Sequence, residues 1–326
     1  MLVLSDCPER LAGFAAVEEG SSVPFESLAP TEQALWRTLG TGAHVWRGPG
    51  RDAEPAGFWS VAVVVGEARS SQFDALRESL AAGLEFPGPT ACLALTGRGF
   101  HGQRGRPWAA LPGNLHLCVV FPEPGLPARA LTSLPMLPVM ALVDALRALS
   151  GGTLRPGIKW VNDVLVDGRK IGGVLAASQT QRDRVGFLLF GIGLNVAAAP
   201  PVPVTPFVPR VGSLADAGMR ATWADAAVAV LDALARRLVA LVREGPAPLL
   251  EAYRAASLVI GREVCLFPEA SSEAATANPP APLVRGTVRE IGADLSLTLE
   301  GVEAPVTSGR LAFAEDCRGQ LDGWTS

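Results

Sequence analysis

Lysine is almost missing from this chain. Of its 28 basic residues only Lys159 and Lys170 are lysines, and both fall within GIKWVNDVLVDGRKIGG. Arginine cannot replace lysine where a compact point charge on a flexible stem must reach one particular oxygen, so a sequence that otherwise uses arginine keeps its ammonium groups where chemistry demands them. Long apolar runs are also missing. No stretch approaches the roughly 18 uninterrupted apolar residues of a membrane span. The start, MLVLSDCPERLAG, has neither the basic segment nor the apolar core of a signal peptide, so the cytoplasm is the expected compartment and no membrane is expected. The five cysteines (Cys7, Cys92, Cys118, Cys265 and Cys317) show no C-x-x-C spacing and are odd in number, which argues against a disulfide framework or a zinc site. A net charge of −4 argues against nonspecific coating of nucleic acid, because phosphate binding needs a concentrated basic surface. There is no fixed-period repeat. Nor is there a Ser-His-Asp or Cys-His arrangement that would support a covalent enzyme intermediate.

What is present is enough for a substantial core: 326 residues, 48% of them hydrophobic and 18% charged, sized for two or three domains. The first convincing strand is FWSVAVVVG, ending near Gly66; residues 1–60 before it form an N-terminal extension of unknown role, with no helix-turn-helix or basic recognition stripe and hence no expected DNA partner. Ser70 or Ser71 caps a helix carrying Phe73, Leu76 and Leu80 at helical spacing. Strands at ACLAL (91–95) and NLHLCVVF (114–121) flank a Gly/Arg loop, GRGFHGQRGRPW (97–108). A buried helix follows over 135–149, with Pro138 near its start. The segment around the two lysines predicts a hairpin turning at Asp167-Gly168, and GFLLFGIGLNV (186–196) a further strand. The helix 222–245 opens with a Thr222/Asp225 capping box and closes at Gly245. Beyond a boundary near residue 256 the pattern changes to short β segments, broken by a low-complexity insert at 268–282 expected to be mobile. These elements imply an α+β domain, a mixed sheet with packed helices, followed by a small β-barrel-like domain.

Three segments carry candidate chemistry. The 97–108 loop joins the guanidinium forks of Arg98, Arg104 and Arg106 to glycines that let backbone approach a ligand, a combination suited to phosphates or an acyl-phosphate. It is neither a P-loop nor a dinucleotide fingerprint, and an exposed arginine-rich turn reads equally well from the loop alone. The hairpin KWVNDVLVDGRKIGG is more specific: Lys159 can stabilise the negative charge that gathers as pyrophosphate leaves. A surface hairpin with Lys159 paired to Asp163 is the competing reading. In GIGLNV (191–196), small residues let a flat ring approach, and Asn195 offers the paired donor and acceptor that an adenine edge requires. His101 in the polar loop reads as a surface group or, less often, as a general base. Cys92 and Cys118 read as packing.

In order, these segments resemble the biotin–protein ligases, whose patterns run approximately GRGRRGRxW, KWPNDI with KKIxGIL, and GIGIN. The resemblance extends from about Ser70 to Leu311 and includes SLADAG (213–218). It implies a catalytic domain over 61–255 and an SH3-like β domain over 256–326. It places biotin against Ser70, Ser71, Gln72, His101, Gly102, Gln103, Lys159 and Gly173. It places ATP against Arg98, Arg104, Trp108, Asn162, Asp163, Lys170 and Asn195, with Lys159, Arg104 and Arg106 carrying the catalytic charge. Counted back from Trp108 without gaps, Gln103 and His101 stand where the family has arginines, Phe100 where it has glycine, and Gly97 where it has a biotin-binding glutamine. A second alignment pairs the family's GRG with residues 97–99, preserving Arg98 in a longer loop; both remain open on the sequence.

The implied reaction has two steps. The biotin carboxylate attacks the α-phosphorus of ATP, with Mg2+ bridging the phosphates, and pyrophosphate leaves; a lysine amine of a biotin carboxyl carrier protein or carboxylase carrier domain then attacks the mixed anhydride and AMP leaves. The resemblance also leaves room for a homodimer through an exposed strand of the sheet. The rival readings are a lipoate ligase or octanoyltransferase, whose R-R-x-G-G-G motif is not found here, and a noncatalytic ligand-binding relative with an altered loop.

Overall fold

The structure is a computed structural model describing residues 1–40, 42–51, 54–208, 210–269 and 281–320. Most of the expected mobile insert, residues 270–280, lies outside the described residues. In chain order the chain forms β1 (Leu2–Ser5), β2 (Ser21–Pro24), α1 (Pro30–Leu39), β3 (His44–Pro49), β4 (Val61–Val65), α2 (Gln72–Ala81), β5 (Thr90–Ala94) and β6 (Leu115–Pro122). It continues with α3 (Met136–Leu149), β7 (Gly157–Lys159), β8 (Asp163–Val166), β9 (Arg169–Gln181), β10 (Arg184–Leu194), α4 (Trp223–Glu244) and α5 (Ala247–Ala256). The last strands are β11 (Glu263–Phe267), β12 (Val284–Ile291), β13 (Leu297–Leu299) and β14 (Arg310–Phe313).

Ten strands make one mixed sheet in the order β2-β3-β1-β4-β5-β6-β10-β9-β8-β7, and four make a second in the order β13-β12-β11-β14. The expected sheet with packed helices is therefore present. Strand β4 shows why it is layered. Its residues, VAVVV, are all buried: Ala62 and Val64 join the core under α3 and α4, while Val61, Val63 and Val65 face α1 and α2 on the other side. Side chains alternate across a strand, so a continuous apolar run requires cover on both faces.

Three strands from the first sixty residues belong to this sheet. Strand β1 runs parallel to β4, and β3 and β2 continue the sheet to its edge. These strands are short and interleaved with Pro and Gly, so their periodicity is too weak to announce them.

The local signals are met in detail. Ser71 is the cap of α2, its hydroxyl accepting from Asp74 N. Thr222 and Asp225 satisfy each other's backbone at the start of α4, and Gly245 ends that helix at φ 78°. Pro138 sits in the first turn of α3, where a missing N–H costs no intrahelical bond. The β8–β9 turn has positive φ at both Asp167 (49°) and Gly168 (72°), the geometry in which Asp-Gly closes a two-residue hairpin.

Candidate active site

A cavity of about 1040 Å³ opens between the β6, β9 and β10 face, the start of α2, the 97–108 loop, the β7–β8 hairpin, the segment 200–211 and the second sheet. Most of the residues singled out in the sequence meet there: Ser71, Gln72, His101, Gly102, Gln103, Arg104, Arg106, Trp108, Lys159, Asn162, Asp163, Lys170, Gly173 and Asn195 all line it. Ser70 and Arg98 do not. Arg98 is turned outward, its side chain 83% exposed and ion-paired with Glu67 at 3.3 Å. The loop cations at the cavity are thus those that the gapless alignment matches, Arg104 and Arg106.

Lys159, at the end of β7, is buried, with its ammonium donating to the Phe207 carbonyl at 2.5 Å. Burial is the main cause that brings its pKa down to about 8, and neighbouring Lys170 adds to it, while Asp163 and Asp316 pull the other way. Asp163 does not pair with Lys159 but with Lys170, at 2.7 Å, and Asn162 donates to the Val174 carbonyl, so the hairpin holds its own polar residues in place. Five cations (Lys159, Lys170, Arg104, Arg106 and Arg310) face only two carboxylates, Asp163 and Glu269, among the described lining residues. That imbalance suits a polyanion.

Two polar side chains reach the cavity incompletely satisfied. Gln72, 3% exposed, has no hydrogen-bond partner for either amide atom, and Asn195, which donates to the Gly212 carbonyl at 2.9 Å, leaves its amide oxygen without one. A buried amide left unpaired costs about 1–3 kcal/mol, a cost recovered when a ligand supplies the missing partner.

The flat ring against Gly193 belongs to the protein: a Cβ there would stand 2.4 Å from the indole of Trp108, whose Nε1 donates to His116 Nδ1 at 3.3 Å. Burial lowers the His116 pKa, which keeps Nδ1 available as an acceptor.

Sequence reasoning missed several contributors. Arg310 comes from β14, stacks 3.7 Å over the Phe207 ring, and has its pKa brought down to about 10 by burial and then by Arg106. Nothing in its surroundings in the sequence marks it, since it reaches the cavity through the pairing of β14 with β11. Trp160 donates to the Leu295 carbonyl at 2.7 Å, fastening the lysine hairpin to the second sheet. Asn114, buried before β6, accepts from the backbone N–H of Val196, Ala197 and Ala198 and so fixes the chain just beyond Asn195.

A model of the biotin/lipoate A/B protein ligase family matches residues 73–195. A biotin–[acetyl-CoA-carboxylase] ligase of Paracoccus denitrificans is 40% identical over 100 residues, 30% of this chain and 41% of that protein. One of Mycobacterium tuberculosis is 31% identical over 209 residues, 63% of this chain and 74% of that protein. The chain thus spans less than half the length of the first relative and about three quarters of the second. Among solved structures, a biotin protein ligase from Aquifex aeolicus, in complex with biotin and ATP, superimposes with a TM-score of 0.57 at 19% identity, covering 77% of this chain and 97% of its own. At that identity the likeness is one of fold.

Proposed function

Since the chain belongs to the biotin/lipoate A/B protein ligase family, we propose that its cavity activates biotin with ATP and delivers the acyl group to a lysine of a carrier protein, a biotin carboxyl carrier protein or a carboxylase carrier domain. The observation that carries biotin rather than lipoate or octanoate is the amide of Gln72, buried in the cavity with donor and acceptor both unpaired. A cyclic urea presents N–H and C=O side by side and answers both; an alkyl or dithiolane chain answers neither and would leave the amide desolvated.

In this reading Ser71, Gln72, His101, Gly102, Gln103 and Gly173 surround the acid. Arg104, Arg106, Trp108, Asn162, Asp163, Lys170 and Asn195 surround the nucleotide, and Lys159 serves both. Arg310 joins the nucleotide set. The acid's carboxylate attacks the α-phosphorus and pyrophosphate departs, while Lys159 and the loop arginines stabilise the growing negative charge from fixed positions. An amine of the carrier then attacks the acyl carbon, AMP leaves and the amine's proton goes to solvent. Magnesium neutralises phosphate charge when bound. No group of three His, Cys, Asp or Glu residues able to hold a metal exists among the described residues, so it would ride on the nucleotide.

We assign 61–255, with the sheet extension 1–60, to the catalytic unit and 256–326 to an SH3-like unit whose four strands close the cavity through Arg310. Residues 1–60 supply sheet strands, which supports a reading without a DNA partner. A homodimer through the sheet would use the β2 edge, because β7 is already bonded to the chain at Ser257 and Leu258. No described helix is long and apolar enough to cross a membrane.

ATP–pyrophosphate exchange with biotin, lipoate and octanoate in parallel tests the reading. Exchange is expected with biotin and reduced roughly tenfold or more in Gln72→Leu, from about 1–3 kcal/mol of lost pairing. Exchange with lipoate or octanoate alone would reassign the acid. Exchange with none would leave a noncatalytic binder.

A further inference from the structure

We infer that Asp74 is a positioning residue, which clamps the arginine loop closed over the cavity through an ion pair with a protonated His101. For its catalytic consequence the inference rests on the ligase reading; the clamp itself does not.

The 97–108 loop is a small folded hairpin. His101 bridges Pro107, Gly102 N donates to Arg106 O at 2.7 Å, Trp108 N donates to Phe100 O at 2.9 Å, and Arg106 Nε donates to Gln103 O at 3.0 Å. The tip turns through Arg104 (φ 57°) and Gly105 (φ 71°). A hairpin of this kind holds its shape but not its place; side chains must fasten it to the body. Trp108, lying on Gly193, fastens one strand. His101 fastens the other, its Nε2 lying 2.6 Å from Asp74 Oδ2 in the first turn of α2.

The second ring nitrogen fixes the charge. His101 Nδ1 lies 3.0 Å from the Gly102 carbonyl, so both nitrogens face acceptors. A neutral imidazole has one N–H and leaves one of these contacts without a proton, whereas imidazolium donates to both. The charged groups packed on the pair are few: Arg77 holds the other oxygen of Asp74 at 2.9 Å and opposes the histidine's charge, as does burial. The Gly102 carbonyl and the Asp74 carboxylate outweigh them, and the histidine's pKa is raised above its ordinary 6.5. The clamp is therefore complete below pH 6.5 and is lost as the pH rises through the higher folded value.

Asp74 lies two residues after Gln72 on the same helical turn. One ion pair thus couples the turn that faces the acid to the loop that carries Arg104 and Arg106 toward the phosphates. The clamp preorganises the arginines that this loop carries.

Asp74→Asn keeps an acceptor and the helix geometry but removes the charge; His101→Gln leaves the helix untouched. In the unliganded protein at pH 7, tryptic cleavage after Arg104, at the Arg104–Gly105 bond, is expected to rise about tenfold in both variants, the scale of losing a charge-assisted hydrogen bond. By NMR, His101, assigned by its disappearance in His101→Gln, should titrate above 6.5 in the native protein and lower in Asp74→Asn. In exchange assays KM for ATP should rise more than kcat falls. A His101 titration at or below 6.5, or unchanged cleavage in both variants, overturns the clamp. Absence of exchange with every acid would sink the ligase reading while leaving the titration and cleavage results to decide the clamp.

Discussion

In the proposed reaction Lys159 must be a cation to stabilise departing pyrophosphate, yet it is buried, and burial brings its pKa to about 8. The sign of the resulting pH dependence follows. Between about 8 and its ordinary 10.5 the unfolded lysine binds a proton that the folded one does not, so this group makes folding more favourable as the pH rises through that window. Activity runs the opposite way, because the charge disappears over the same rise. We expect kcat/KM for adenylation, which reports the free enzyme, to fall above about pH 8. Lys159→Ala should lower the rate by roughly 10²–10³-fold, the usual effect of removing one charge-stabilising group, and should flatten the alkaline limb. A limb that survives in the variant belongs to another group. At this scale the sequence pointed to Lys159 and Asn195, which line the cavity, because their motifs are local. It was silent on Arg310 and Asp74, whose roles depend on partners brought in by strand pairing and by the fold of the loop.

The elements that carry these residues are held by single, identifiable contacts. The only tyrosine in the chain, Tyr253 on α5, donates to the Val161 carbonyl at 2.8 Å, on the hairpin that bears Lys159. Tyr253→Phe leaves that carbonyl without its donor and should lower stability by about 1–3 kcal/mol, measured by urea unfolding. At Gly193 an added methyl would meet the Trp108 indole at 2.4 Å. Gly193→Ala should therefore displace the tryptophan and loosen the arginine loop, costing about 1–3 kcal/mol as overpacking and quenching or shifting indole fluorescence. Unchanged fluorescence would show that the indole does not rest there. Helices α3 and α4, strands β4 to β6 and the β8–β9 turn were legible from periodicity, caps and Asp-Gly chemistry, all of which act within a few residues. Strands β1 to β3 and β14 were not, because short strands draw their stability from the neighbour they pair with rather than from their own pattern.

The scarcity of lysine acquires a consequence once the whole surface is considered. An acyl-adenylate released into solution reacts with primary amines, and the chain offers no freely exposed lysine: Lys159 is 4% exposed, and Lys170, its side chain 24% exposed, is tied to Asp163 at 2.7 Å. Arginine, protonated at any working pH, keeps the surface charged without being a nucleophile. If the proposed biotin activation holds, the protein should therefore accumulate little self-biotinylation during turnover without a carrier. Arg98→Lys places an amine on an exposed side chain at the start of the loop, outside the cavity lining, and is expected to gain one acyl adduct by intact mass under identical conditions. Peptide mapping should find that adduct at position 98 and leave Lys159 and Lys170 unmodified. Acylation of either native lysine in the wild-type protein would mean that burial and pairing do not shield them, and the arginine-rich surface would then have no protective role.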